Sequence, residues 1–312
     1  MWAELALGAW ATLERDTLRI KRRSVRVLDG PKGKPASAWP LAHVLWAAAE
    51  VRSLGGDPPI ASLDQALEPL RSGDGYLAVP RDKRYFDDNA WLGLAFLRLG
   101  GVLSDTAWRD RARRLARFVT QGEDPDGGVR WEEGSTSRNT CSTAAAAWLV
   151  LEAGGRAGRT VAGRWMDWLD ATLRRPDGLY ADRIDGGVVH NELWTYNQGA
   201  ALAATRLLGR PTTALRAAIL GQWTSDDLWR EPPAFAAIAY RALLADPDAT
   251  DAIARWDPYL ERLGTEAREP SGWFTGGGVG RYDERPTIDQ AAVVQLFALR
   301  AAVTSGVRRS PA

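Results

Sequence analysis

The 312-residue chain holds one cysteine, Cys141, and two histidines, His43 and His190. A single thiol excludes an internal disulfide and fits a reducing compartment. So few soft ligands all but exclude a zinc site of several side chains, and no metal or cofactor is expected. Cys141 has no histidine near it in sequence and sits among small residues. That reads as a buried, unreactive thiol rather than a nucleophile.

Net charge is nearly absent as well. Lys+Arg total 40 against 39 for Asp+Glu, a formal charge of +1, so no global field draws the chain to nucleic acid or to an acidic membrane. The one local cluster is Arg19, Lys21, Arg22, Arg23 and Arg26, which reads more readily as a solvated helix end or loop than as a binding patch. No apolar run approaches the length of a membrane span. Met1 to Leu7 carries an acid inside it, and its basic residues follow the apolar part. A secretory signal needs the opposite order. A chain beginning here is expected to be cytoplasmic, and extracellular if it has been trimmed. Oligomeric state is not legible, with a monomer as the default.

What the chain has in excess is tryptophan: 15, against 7 tyrosines. Trp carries much apolar surface for a core, but its face also stacks on the C–H faces of sugar rings. Trp39, Trp131, Trp194 and Trp273 fall at loop-to-helix junctions, where burial explains them less well.

Helical periodicity runs through nearly the whole chain, with no alternation long enough for extended strands. Charged or amphipathic segments, such as Asp105 to Thr120, alternate with segments apolar on every side, such as Thr143 to Glu152. Amphipathic helices face solvent and all-apolar ones lie inside. The apolar helices open near Trp39, Asp87, Asn139, Trp194, Pro232 and Thr287, a period of roughly 50 residues that marks stacked helix pairs. Six apolar and six amphipathic helices predict an all-α fold, an (α/α)6 barrel of six inner and six outer helices, as one domain over residues 1–312. An open solenoid is the alternative, but it calls for a more regular period and polar capping helices.

Three turns, Asp74-Gly75-Tyr76, Asp126-Gly127-Gly128 and Asp177-Gly178-Leu179, each lie between an outer helix and the next inner one. They therefore belong to one end of the barrel, together with the starts of the inner helices. That end collects aromatics, carboxamides and acids, a lining suited to a neutral polyhydroxylated ligand. Its centre is Tyr85-Phe86-Asp87-Asp88-Asn89-Ala90-Trp91. One Asp at a helix start is an N-cap and a second gains from the dipole, but two adjacent carboxylates repel, so capping accounts for one better than for both.

The Tyr85 to Trp91 block, the Gly127-Gly128-Val129-Arg130-Trp131 turn followed by Asn139, the Trp39-Pro40 helix start and above all Trp194-Thr195-Tyr196-Asn197-Gln198-Gly199 resemble glycoside hydrolase family 76. These are α-1,6-mannanases with an (α/α)6 barrel, and the matching blocks span most of the chain. The resemblance implies a retaining hydrolase of α-1,6-mannosidic linkages, with Asp87 as nucleophile, Asp88 as general acid/base, and a mannan or mannose-containing glycan as substrate. Retention calls for two carboxyl groups roughly 5–5.5 Å apart, one ionised and one protonated. Repulsion in a cleft walled by Phe86 and Trp91 is expected to raise one pKa, while the helix N–H groups keep the other acid ionised.

Within that picture Asn139, Tyr196, Asn197 and Gln198 would hold sugar hydroxyls, with Trp39, Trp131 and Trp194 as further ligand contacts. Asn139 and Asn197 are equally readable as N-caps, and the tryptophans as core. Glu132 and Glu133 read as solvated or lining a subsite, Asp289 as a cap, and His190 as a surface loop residue. Other barrel activities remain open. A sugar epimerase would draw on barrel histidines, which are scarce, and a uronide hydrolase on a basic cleft. A catalytically silent glycan-binding barrel would retain the same aromatics.

Overall fold

The computed structural model describes residues 1–22, 24–246, 249–275, 278 and 286–304. Its helices are α1 (Trp2–Thr17), α2 (Ala38–Ser53), α3 (Ile60–Leu67), α4 (Phe86–Val102), α5 (Thr106–Val119), α6 (Thr140–Ala153), α7 (Gly155–Thr172), α8 (Thr195–Leu207), α9 (Thr213–Gln222), α10 (Ser225–Arg230), α11 (Pro233–Leu244), α12 (Thr250–Arg262) and α13 (Pro286–Thr304). Helices α2, α4, α6, α8, α11 and α13 are buried along most of their length. Each packs on the next, and α13 closes the ring on α2. Helices α1, α3, α5, α7, α9 and α12 bury one side only. This is the (α/α)6 barrel, and each inner helix begins within one residue of its expected start. The added element is the short α10, opened by a capping box between Thr224 and Asp227.

Small side chains let the inner ring close tightly. On α8 a Cβ at Gly199 would sit 2.5 Å from the Ala239 Cα of α11. No side chain fits there, so the helix has glycine and its neighbour alanine. The C-terminal halves of the inner helices carry a polar layer instead. Glu50 of α2 is 1% exposed and accepts from Arg98 of α4 at 2.9 and 3.0 Å and from Arg241 of α11 at 2.6 Å. Arg241 continues to Gln295 of α13, whose amide meets His43. Burial holds the His43 imidazole down at about 3, with the Arg241 charge adding to the effect, so His43 is neutral. Trp148 donates to Glu152 of α6 at 2.7 Å.

The strands are all short: β1 (Leu18–Lys21), β2 (Ser24–Val27), β3 (Arg71–Ser72), β4 (Gly75–Tyr76), β5 (Arg138–Asn139), β6 (Arg183–Asp185) and β7 (Val188–His190). They pair as two hairpins and one three-stranded sheet ordered β5-β6-β7, all antiparallel. The basic cluster therefore rides on the β1–β2 hairpin rather than on a helix end or loop, with Arg23 outside the described residues. His190 lies in a strand and is half-buried, not in a surface loop. The sequence also reads as a loop around its glycine-rich stretch from Gly276 to Gly280, which apart from Gly278 lies outside the described residues.

The turns ahead of the inner helices share one design. Arg71 bridges to Tyr76, Glu123 to Val129, Arg174 to Tyr180 and Arg268 to Phe274. A polar residue in the first turns of the following inner helix then clasps the end of each bridge. Asn89 accepts from the Tyr76 N–H at 2.7 Å and donates to its carbonyl at 2.9 Å. Gln198 does the same to Tyr180, at 2.8 and 2.9 Å. Gln290 accepts from the Phe274 N–H, and the Thr143 hydroxyl accepts from the Val129 N–H. These buried bonds satisfy backbone groups that water does not reach. They fix the segments that line the barrel mouth.

Candidate active site

The N-terminal ends of the inner helices surround a cavity of about 700 Å³. Helix geometry selects which side chains reach it. The second residue of α2, α4, α6 and α8 is Trp39, Asp87, Cys141 and Tyr196 respectively, and all four line the cavity. Two residues further along, at about 100° per residue, a side chain turns to the opposite side of the helix. That is where Asn89, Thr143 and Gln198 hold their turns. One ring of positions faces the ligand and the next secures the loops.

The turns contribute on the same rule. Val79, Trp131 and Asp182 each stand five residues after the aspartate of their Asp-Gly turn, and each lines the cavity. Asp182 is 7% exposed. Its carboxylate accepts from Asn197 at 3.1 Å and from Arg183 at 2.8 Å, and Arg183 also meets His190 Nδ1 at 3.1 Å.

Asp87 and Asp88 both line the cavity, as the second and third residues of α4. Neither is the N-cap. That position belongs to Tyr85, whose side chain makes no cap bond, so capping explains neither acid. Asp87 is 9% exposed. Its Oδ1 accepts from the Asp88 N–H at 3.0 Å, and its Oδ2 accepts from Trp131 Nε1 at 3.2 Å and from the Cys141 thiol at 3.5 Å. Burial pushes the Asp87 carboxyl up to about 6, while the donors from Asp88, Cys141 and Trp131 pull it back. Desolvation therefore outweighs the hydrogen bonds. Asp88 is half-buried. Removal from water is the largest cause of the rise at Asp87.

The cavity is acidic. Asp82, Asp87, Asp88, Glu132, Asp182 and Asp185 line it, with Arg183 as the one cation among the described residues. Glu132 is paired with Lys83 at 2.6 Å and Asp182 with Arg183. Glu133 turns away to Arg84. The aromatic part of the wall comes from Trp39, Tyr85, Trp91, Trp131, Tyr196 and Phe235. Trp131 is 40% exposed and meets Tyr85 edge-on at 5.1 Å between centroids, so one indole face is open to a ligand. Tyr196 stacks on Phe235 at 4.1 Å. Asn139 stands at the N-cap position of α6, though its side chain makes no cap bond. Its Oδ1 accepts from the Ser137 hydroxyl at 2.7 Å, leaving Nδ2 as a donor at the cavity wall.

Asp87, Asp88, Trp39, Trp91, Trp131, Asn139 and Tyr196 therefore come together, while four residues of the sequence-derived set do not line the cavity. Phe86 is buried against Phe118 at 5.3 Å and so walls no cleft. Trp194 packs edge-on to Phe235. Gln198 is fully buried, its amide spent on the backbone of Tyr180 and Trp194. Asn197 sits behind Asp182 and orients it, and it caps no helix. Trp273 binds Asp16 next to the outer helix α1, and Asp289 is buried inside α13. Cys141 is buried as expected, but its thiol points at Asp87. Among the described residues no group of acids, histidines and cysteine is arranged to hold a metal ion, and no helix is long and apolar enough to cross a membrane.

Residues 29–223 match the model of glycosyl hydrolase family 76, a span that includes both aspartates, Trp131, Asn139 and Asp182. A family 76 α-mannanase from Bacteroides thetaiotaomicron shares the fold with a TM-score of 0.83, at 16% identity over 98% of this chain and 97% of its own. A family 76 mannosidase from the same species gives 0.80, at 17% identity over 98% and 100%. A Salegentibacter α-1,6-mannanase gives 0.78, at 20% identity over 97% and 100%. That structure is an inactive variant with two consecutive aspartates replaced by asparagine, in complex with α-1,6-mannotriose. A search of curated proteins finds no match.

Proposed function

This chain belongs to glycoside hydrolase family 76, and on that premise we propose that it cleaves α-1,6-mannosidic linkages with retention of configuration, using Asp87 and Asp88. The observation that carries the reading is the pair of adjacent carboxylates at the start of α4, both on the cavity wall and one held by donors from two other segments. The likeness to an α-1,6-mannanase with bound mannotriose supports the choice of linkage.

Ionised Asp87 attacks the anomeric carbon and forms a glycosyl ester. Asp88 gives its proton to the departing glycosidic oxygen, then accepts one from the water that hydrolyses the ester. The depth of Asp87 strips its carboxylate of water, and the Trp131 and Asp88 N–H groups keep it in one orientation, as attack on a fixed carbon requires. Asp88, closer to solvent, is placed to exchange protons. The indole face of Trp131 and the ring of Trp39 receive the apolar sides of sugar rings. Asn139 Nδ2 donates to a sugar hydroxyl, and the Asp182 carboxylate accepts from others. The acidic wall favours neutral sugars and disfavours uronates, which would face carboxylates at close range.

Product analysis tests the reading. The wild type should release shorter oligosaccharides from α-1,6-mannan, and Asp87→Asn and Asp88→Asn should each abolish release while remaining folded. Intact mannan after treatment with folded wild-type protein would remove the mannanase assignment.

A further inference from the structure

Asp87 of α4, Cys141 of α6 and Tyr196 of α8 occupy the same register position in three successive inner helices, and all face the cavity. The Cys141 thiol lies 3.5 Å from Asp87 Oδ2, and Tyr196 of the next helix lines the same wall. The residue is 2% exposed. Burial, followed by the charges of Asp87 and Asp182, raises the thiol well above its ordinary value. A thiol so placed keeps its proton at neutral pH. It is a standing donor to Asp87, not a nucleophile.

We propose that Cys141 is a positioning residue for Asp87, a weak donor that reaches from α6 to the acid on α4. The inference rests on the reading of Asp87 as nucleophile. A carboxylate that attacks carbon has to be aimed without being quenched. The Asp88 and Trp131 N–H groups already supply two ordinary donors. A third donor of that strength would stabilise the anion and blunt its attack, whereas an apolar residue would leave a lone pair of Oδ2 open to water. A thiol is a weak donor. It occupies that direction while withdrawing little charge. Serine, with its shorter bond to oxygen, would not reach as far from the same backbone position.

The titratable and charged groups around the pair are Asp88 and Tyr85 at the head of α4, Asp82 in the turn before it, Glu132 with Lys83, and Asp182, Arg183 and Asp185 from the turn and strand before α8. None of them is itself altered by a substitution at position 141, and Asp87→Asn isolates the contribution of Asp87 to the thiol band.

Because Cys141 is the chain's one cysteine, its S–H stretch is a site-resolved infrared band that needs no substrate. In the wild type the band should move to lower frequency as pH rises from about 4 to about 8 and Asp87 ionises. It should stay still in Asp87→Asn. In parallel, the acid limb of kcat/KM on α-1,6-manno-oligosaccharides should move up by about half a pH unit in Cys141→Ala and return part of the way in Cys141→Ser. A pH-silent S–H band together with an unmoved limb in Cys141→Ala would overturn the inference in an active enzyme. If the wild type cleaves no mannoside, the functional reading fails, and the infrared titration still decides whether the thiol follows Asp87.

Discussion

Trp131 Nε1 donates to Asp87 Oδ2 across 3.2 Å, linking the turn before α6 to the first turn of α4. The same indole is 40% exposed, so a single side chain both aims the buried acid and offers a face to the ligand. Substitution separates the two. Trp131→Phe keeps a ring but loses the N–H, and should lower kcat/KM by ~10-fold or more through the lost bond to a charged group. Its acid limb should move to higher pH. Trp131→Ala should add a rise in KM for the oligosaccharide. Steady-state kinetics across pH check both. An unmoved limb in Trp131→Phe would mean that the bond does not act on Asp87.

The raised Asp87 carboxyl, at about 6 against 3.8 for an exposed aspartate, fixes the shape of the pH profile. If the ionised form is the nucleophile, kcat/KM should fall about tenfold per unit below pH ~6. A limb near pH 4 would contradict this.

The same shift has a consequence for stability. A raised folded-state value means that the native state binds the proton more tightly than the unfolded chain. Any stability from this group is complete below about pH 3.8 and is lost as pH rises through about 6. Burying the charge then costs about 3 kcal/mol at neutral pH. Asp87→Asn carries no charge, so it should melt above the wild type at pH 7.5 and together with it near pH 3.5. Melting curves at the two pH values suffice. Equal differences at both would assign the effect to packing alone.

Position within the first helical turn separates stability from function. Gln198→Ala strips two buried backbone groups of Tyr180 of their partners and should cost about 2–3 kcal/mol. Asn139→Ala faces the cavity instead, and should weaken substrate binding with little change in melting temperature. Paired thermal and kinetic measurements would expose the reverse pattern.

At the far end of the barrel, Glu50 is buried between Arg98 and Arg241. Glu50→Ala leaves two guanidinium groups without their anion and should destabilise by about 3–5 kcal/mol. Denaturant unfolding measures it, and a loss under 1 kcal/mol would show that the layer contributes little.

The barrel was legible in the sequence because inner and outer helices differ in burial on every turn. The all-apolar α6 and the one-sided α5 announce their places, and the inner starts fall within one residue of expectation. The β1–β2 and β6–β7 hairpins were not legible, since strands of three or four residues pair locally and leave no alternation to detect. Asp87, Asp88 and Trp131 stood out as types unsuited to a plain helix start. Gln198 was expected to hold a sugar and Phe86 to wall the cleft, yet the fold spends them on a turn and on the core. Nothing in residue type distinguishes a carboxamide that holds backbone from one that holds sugar. Only the angular position does, because Tyr196 and Gln198 are two residues apart and face opposite ways.

Asp182 was missed, although its signal is in the chain. It lies as far past Asp177-Gly178 as Trp131 lies past Asp126-Gly127. Extending the turn comparison by five residues places both on the cavity wall.

The most direct test of the central claim is to follow cleavage of an α-1,6-manno-oligosaccharide by proton NMR and observe which anomer is released first. The account predicts initial release of the α-anomer by the wild type, with none from Asp87→Asn. First appearance of the β-anomer would mean inversion, with water rather than Asp87 attacking the sugar.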